Sequence, residues 1–294
     1  MRRAAFACVV ACLLGAATPA LAQRGRPIVP PGQAKKGQQA PATSSGLVTA
    51  ESGGTIEVGS ARVRALGAWL DDATLLAPGE TWVALSASRW SLPIASGADA
   101  PVVDVSAGIT PRIQAAVSLP YFRAAAAGGG SIHGIGDVYV TTKVLVREPS
   151  DEGVGISVSP TLELLSRASM ADATLRRANW LLPLNLERRL TSGRIYGSTG
   201  WFSRGAFFVS TAAERYFTDA FAVSAGVTYS HATDADALSE ELGLGRRRAD
   251  VMGTAAYSIS PALAVYGSLA RTVWGRDVDS TRLLASGGVS VKVH

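Results

Sequence analysis

From Trp82 onward the chain alternates between apolar and polar positions. In GIGDVYVTTKVLVR (134–147) one parity carries Val138, Val140, Thr142, Val144 and Val146. The other carries Asp137, Tyr139, Thr141, Lys143, Leu145 and Arg147. One face is apolar and β-branched, and the other is mostly polar with charge of both signs. A period of two predicts a strand. The run is about a dozen residues long, whereas strands of globular proteins average about 5–6. Twelve such runs follow one another: 81–90, 101–109, 112–120, 135–147, 154–166, 178–190, 194–203, 206–217, 221–230, 249–259, 262–274 and 282–293. A strand tilted about 45° needs roughly 9–11 residues to cross a membrane, which is the length of most of these runs.

The connections alternate as well. Short junctions of turn formers stand at Thr110-Pro111, Glu148 to Gly153, Thr191 to Gly193, Thr218 to Ala220 and Ser260 to Ala262. The junctions between them are longer: 91–100, 121–134, 167–177, 231–248 and 275–281. Only the junction at Arg204-Gly205 breaks the pattern. Short turns on one side and long loops on the other are the asymmetry of an outer-membrane barrel. Aromatic residues fall near both ends of the runs. Trp90, Trp180, Trp201, Phe202, Phe207, Phe208 and Trp274 lie near the long loops. Tyr196, Tyr216, Phe217, Phe221 and Tyr257 lie near the short turns. Rings at the two membrane interfaces are expected of such a barrel.

The expected fold class is therefore all-β: an antiparallel transmembrane β-barrel of about 12 strands over 79–294, with short periplasmic turns and longer extracellular loops. A soluble periplasmic β-sandwich, burying the valines against a second sheet, is the alternative that periodicity alone leaves standing.

The N-terminal part carries different signals. MRRAAFACVVACLLGAATPALA has a basic start, an apolar stretch and small residues before a cleavage point between Ala22 and Gln23, the layout of a secretory signal. Cleavage removes Cys8 and Cys12 and leaves no cysteine for a disulfide, a nucleophile or a metal site. Residues 23–46 are rich in Pro, Gly, Gln and Lys and read as a disordered leader. Residues 47–78 form an ambiguous segment. Within it, 55–69 alternates loosely, with room for an extra strand, and 71–80 reads as a turn-bearing entry.

Composition narrows the classes. Mean hydropathy is positive, yet no later segment offers eighteen consecutive apolar residues for a transmembrane helix. Loss of Arg2 and Arg3 with the signal lowers the net charge from +5 to +3, too mild and too evenly spread for a nucleic-acid partner.

Two stretches resemble a known family. In DVSAGITPRIQAAVSLPYF (104–122) the pattern is carried by Gly108, Ile109, Thr110, Pro111, Arg112, Ile113, Pro120 and Tyr121. Gly134-Ile135-Gly136-Asp137, followed by Lys143, carries the second, and the turn pattern echoes at Thr191 and Thr218. Together they resemble the MetA-pathway phenol-degradation family of outer-membrane β-barrel, transporter-like proteins, over a core of about 40 residues. The resemblance implies passage of small, often aromatic or hydrophobic compounds and brings no catalytic residues. The chain departs from the usual barrel ending. Its last residues, Val289-Ser290-Val291-Lys292-Val293-His294, alternate, but the valines are out of phase with the terminal residue, which is not aromatic.

Candidate lumen-facing residues sit opposite apolar neighbours in the runs: Asp104, Gln114, Asp137, Tyr139, Lys143, Glu163, Asn185, Glu187 and Glu214. They either line a pore or plug it, since small barrels fill their interiors with side chains. His133 lies in a Gly-rich loop, and His231 precedes Asp234 and Asp236. Such loop histidines are either solvated or serve as a base or metal ligand. Arg246-Arg247-Arg248 is either a solvated cluster or a contact for lipopolysaccharide phosphates.

The expected function is that of an outer-membrane, porin-like barrel of a Gram-negative cell envelope, passing small solutes or serving as a structural surface protein. It is not expected to be an enzyme or to hold a cofactor or metal. Its expected partners are outer-membrane lipid and lipopolysaccharide, the barrel-assembly machinery and a small-molecule solute, with no nucleic acid. A barrel enzyme hydrolysing lipid or peptide through a loop histidine, and a soluble periplasmic binding protein, are the alternatives.

Overall fold

A computed structural model describes residues 55–58, 61–64, 70–93, 95–126, 130–166, 178–203, 205–233, 247–275 and 280–293. The signal, its cleavage point and the leader 23–46 lie outside the described residues. No helix occurs among those described.

Twelve strands form one antiparallel ring. They are β1 (Thr81–Ser91), β2 (Ala95–Thr110), β3 (Ile113–Ala126), β4 (Ser131–Ile135 and Val138–Arg147), β5 (Gly155–Val158 and Thr161–Leu164), β6 (Ala178–Leu190), β7 (Gly193–Phe202), β8 (Ala206–Thr218), β9 (Phe221–Ala232), β10 (Arg247–Ser260), β11 (Leu263–Trp274) and β12 (Leu283–Lys292). Each pairs with its neighbour in sequence, and β12 pairs with β1 from Leu283↔Ser91 to Lys292↔Trp82. Closure leaves no sheet edge, so every wall strand has its backbone partners within the protein. One continuous ring, not two facing sheets, replaces the sandwich alternative.

Two strands are interrupted where the sequence denies them a regular ladder. In β5 the break falls at Ser159-Pro160, where proline has no N–H to give. In β4 it falls at Gly136-Asp137, and the Gly136 N–H bonds instead to the Pro120 carbonyl (2.7 Å). Strands β2 and β3 run well past the expected 101–109 and 112–120, because their loop-side ends pair with each other as far as Ala95↔Ala126. Their inner faces stay buried at Ala95, Asp99, Phe122 and Ala124.

Burial is inverted relative to a water-soluble protein. Leu85, Val117, Leu119, Leu162, Leu182, Leu184, Ile195, Val209 and Leu269 are exposed on the outer face. Ser118, Thr141, Glu163, Asn185, Glu187, Arg194, Ser210 and Thr228 are buried on the inner one. Charged residues are almost never buried unless paired, and exposed apolar surface this extensive marks an interaction with something apolar. Val291 and Val293, out of phase in sequence, join the exposed outer face.

The aromatic expectation is corrected in part. Trp180, Trp201, Phe207 and Trp274 are exposed on the outer face near the long loops, and Phe217 is exposed near the short turns. Trp90, Phe202, Phe208 and Tyr196 instead turn inward and are buried. Adjacent aromatics such as Phe207-Phe208 must point to opposite faces, because successive side chains in a strand do so.

Candidate functional site

The site is the lumen. Its floor is laid by residues that precede β1. Residues 70–77, Leu-Asp-Asp-Ala-Thr-Leu-Leu-Ala, form a strap that crosses inside the wall near the short-turn end, bonding to β3 through β7. Before it, a hairpin of Thr55–Val58 and Ala61–Arg64 approaches the facing arc, β9 to β12 and β1. It pairs only with itself, so it is not an additional strand of the ring.

The strap is held by charge. Lys143 Nζ, from β4, lies 3.0 Å from Asp71 Oδ1 and 2.6 Å from Asp72 Oδ1. Arg194 Nη1, from the start of β7, lies 2.8 Å from Asp72 Oδ2 and 3.4 Å from Glu187 Oε1. The same guanidinium donates through Nε to Glu214 Oε1 (3.0 Å) and stacks over the Tyr196 ring (4.7 Å to its centre). Glu187 in turn accepts from Thr74 Oγ1 (2.7 Å) and the Ala73 N–H (3.1 Å). Ser198 Oγ accepts from the Asp71 N–H (2.8 Å), Ser159 donates to Asp71 Oδ2 (3.1 Å), and Gln114 Oε1 accepts from the Leu76 N–H (2.8 Å). Acid and base are buried together, which is the condition under which interior charges are tolerated. Burial pushes the Asp71 carboxyl above the ordinary aspartate range; Lys143 opposes this and the Asp72 carboxylate adds to it.

The strap is seated at its C-terminal end, beside the short turn at Thr110-Pro111, by close packing. The Gly79 N–H donates to the Gly108 carbonyl (2.8 Å), and the Gly108 N–H donates to the Glu80 carbonyl (2.9 Å). A side chain at Gly108 would fall onto the Ala77 carbonyl oxygen. Glu80 accepts from Trp82 Nε1 (2.8 Å) and pairs with Lys292 (3.1 Å), tying the strap's end to the β1–β12 seam. Burial pushes the Glu80 carboxyl up, but the bonds from Trp82, Lys292 and the Ala77 N–H outweigh it and hold it below the ordinary range.

Toward the long loops the lumen carries apolar clusters among its polar pairs. Trp90, Leu92, Ala95, Phe122, Ala124 and Leu284 form one buried apolar cluster, and Tyr139, Leu181, Phe202, Ala206 and Phe208 form another. Trp90 lies flat on the chain at Gly97, where an added Cβ would sit 2.6 Å from the ring. Its indole N–H is buried and has no hydrogen-bond partner among the described residues.

All nine sequence-selected residues lie on the inner face. Lys143, Glu187 and Glu214 join the strap network, and Gln114 holds the Leu76 amide. Tyr139 Oη donates to Glu163 Oε1 (3.0 Å), and Asn179 completes that carboxylate (2.9 Å). Asn185 bonds to Ser157 and Ser159, and Asp137 accepts from the Ser166 N–H. Asp104 lies on β2, opposite Ala84 and Ser118. The residues that sequence reasoning missed are Asp71, Asp72 and Arg194. Arg194 shares its parity with Tyr196 and Ser198, and an acidic pair just ahead of β1 is the complement of two inward cations.

The other candidates are not brought together. His133 is on β4 and His231 on β9, opposite Phe207 and Arg247. His294, Asp234, Asp236 and Arg246 lie outside the described residues. Arg247 is exposed, whereas Arg248 turns inward and pairs with Asp250 (2.7 Å), so the triplet is not one solvated or lipid-facing cluster. Among the described residues no group of three His, Cys, Asp or Glu is placed to hold a metal.

No family model matches the chain, and no curated protein matches it in sequence. Solved structures do match. The COG4313 outer membrane channel from Pseudomonas putida F1 superposes with a TM-score of 0.60 at 12% identity, over 75% of this chain and 98% of that one. The NanC porin superposes with a TM-score of 0.51 at 13% identity, over 72% of this chain and 100% of that one. The fold is that of an outer-membrane β-barrel. Within this barrel, the strap and hairpin fall in the part of the chain that precedes the ring, and the apolar clusters of the lumen belong to the ring itself.

Proposed function

We propose that this barrel is a passive channel of the outer membrane, closed at rest by its own strap, and that it passes small solutes, apolar and aromatic ones among them. The observation that carries the reading is the presence of apolar clusters and a charged zone in one lumen. Two apolar, aromatic clusters lie on the loop side of the charged zone that the strap occupies, beside the buried polar pairs Arg248–Asp250 and Asn179–Glu163. Such clusters favour entry of an apolar solute at about 25 cal/mol per Å² of surface removed from water. A strap held by ion pairs and hydrogen bonds exchanges them for water when it leaves, so its net hold is small compared with its number of contacts. The resemblance of 104–143 to the MetA-pathway phenol-degradation barrels supports the same solute class. In this reading the chain is exported by cleavage between Ala22 and Gln23 and inserted by the barrel-assembly machinery.

Planar-bilayer conductance, with swelling of liposomes in phenol-sized solutes, tests the reading. Brief openings in the full chain and uptake of apolar over equally small polar solutes are expected. A heat-modifiable, folded barrel that neither conducts nor passes solute, even when the strap is loosened, makes it a structural surface protein. The reading includes no catalysis. Loss of a lipid- or peptide-hydrolysing activity on His133→Ala or His231→Ala would favour the barrel enzyme instead.

A further inference from the structure

The outer face carries a feature that passage does not use. Across β1 to β4, near the long loops, the registers Arg89↔Ala98, Ala98↔Arg123 and Arg123↔His133 set one row of side chains on four neighbouring strands. Arg89, Arg123 and His133 are exposed. Together with Ala98, Tyr121, Ser96 and Ser131 they line a groove of about 580 Å³ with no acidic residue among its described lining residues. None of the three makes an ion pair among the described residues. Neighbouring strands lie about 4.8 Å apart, so the two arginines stand roughly 10 Å apart with only the Ala98 methyl between them.

Height along the barrel says what fills the gap. Arg89 and Tyr121 each lie eight residues from the short-turn ends of β1 and β3, as does the outward Trp201 on β7. Arg123 lies ten residues up, level with the outward Trp180 of β6. Outward tryptophans sit at the headgroup level of a bilayer. An outward arginine is costly at the midplane and nearly free at the interface. Four residues below the arginines runs a second row, Leu85↔Val103↔Leu119, in which both leucines are exposed. The face is therefore amphiphilic along one line, cationic at headgroup height and apolar beneath.

We infer that this groove seats the phosphorylated headgroup of an outer-leaflet glycolipid, with phosphate oxygens on the Arg89 and Arg123 guanidinium forks and acyl chains along Leu85 and Leu119. Guanidinium forks match phosphate bidentately, and the apolar row selects a membrane lipid over free phosphate. The inference rests on the outer-membrane reading above.

The test uses the full chain folded in detergent and titrated with diphosphoryl lipid A, with lipid A stripped of its phosphates, and with inorganic phosphate, read by native mass spectrometry. Diphosphoryl lipid A is expected to bind about tenfold tighter than the stripped form, a preference abolished in the Arg89→Gln/Arg123→Gln variant and partly kept in the double lysine variant. Equal binding of the stripped lipid, or an undiminished preference in the glutamine variant, overturns the inference while leaving the channel reading intact. Competition by millimolar inorganic phosphate overturns it in favour of a free-anion site. Absence of a heat-shifted folded form in lipid overturns the membrane reading and this inference together.

Discussion

Asp72 Oδ2 lies 2.8 Å from Arg194 Nη1, and solvent reaches neither side chain. The pair joins the strap to the wall, because Asp72 precedes the first strand and Arg194 begins the seventh. Asp72 also holds Lys143, so one carboxylate ties the strap to β4 and β7 at once.

Removing that carboxylate leaves two buried cations short of an anion, at a cost of about 3–5 kcal/mol to the docked strap. Asp72→Ala is expected to raise the open fraction of the channel by orders of magnitude while the ring stays folded. Single-channel recording beside a heat-modifiability gel checks both halves. A variant that opens no more often than the parent would show that the strap does not close the lumen.

The pH dependence follows from Asp71. Its docked carboxyl titrates above the ordinary aspartate value, so the docked strap binds a proton that the released strap does not. This contribution to docking is fully present below the ordinary value and is lost as pH rises through the raised one. The groups facing Asp71 are Lys143, Asp72, Ser159 and Ser198. Conductance is expected to increase with pH across that window and to lose the dependence in Asp71→Asn. A flat profile in the parent would remove Asp71 from the closure.

Gly97 lets Trp90 lie against the chain. Gly97→Ala places a methyl against both the Arg123 carbonyl oxygen and the Trp90 ring, and is expected to strain the β2–β3 pairing there and turn Trp90 into the outer lumen. Uptake of a phenol-sized solute should fall severalfold, with strap-dependent conductance to small ions kept. Uptake rates in liposomes decide it, and an unchanged rate would detach the Trp90 cluster from the solute path.

The outer belt predicts a sign that no soluble fold shares. Leu184 is exposed near the middle of β6. Leu184→Arg should destabilise the vesicle-inserted barrel by about 2–4 kcal/mol. Urea titration in lipid vesicles measures it. On a water-facing surface the same change would be nearly neutral.

Glu80 supplies a smaller test at the seam. Its folded carboxyl titrates below the ordinary glutamate value, so its contribution is present above that value and lost as pH falls through the lowered one. Lys292 is partly exposed, which screens the pair to less than about 1 kcal/mol. Glu80→Gln should lower the unfolding midpoint slightly at neutral pH and leave it unchanged in strong acid.

Alternation of the kind seen from Val138 to Arg147, and short turns such as Thr110-Pro111, were enough to count twelve strands, although 121–134, read as a long loop, is strand over Tyr121–Ala126 and Ser131–Ile135. Those are local quantities: side chains point alternately because of backbone geometry, and a tight turn needs only its own residues. The inward parity of Lys143, Glu187 and Glu214 was legible for the same reason. Which of the paired aromatics at 201–202 and 207–208 faced the membrane followed only once the register of β7 and β8 was known. The strap was not legible. Asp71 and Asp72 meet Lys143 and Arg194 across 71 and 122 residues of sequence, and no period links them. The outward row of Arg89, Arg123 and His133 is of the same kind, since these residues become neighbours only through strand pairing. What the sequence alone determined is the wall, because each strand carries its own pattern. What only the tertiary structure decided is how the lumen is filled, because ring closure alone brings the walls and the N-terminal segment together.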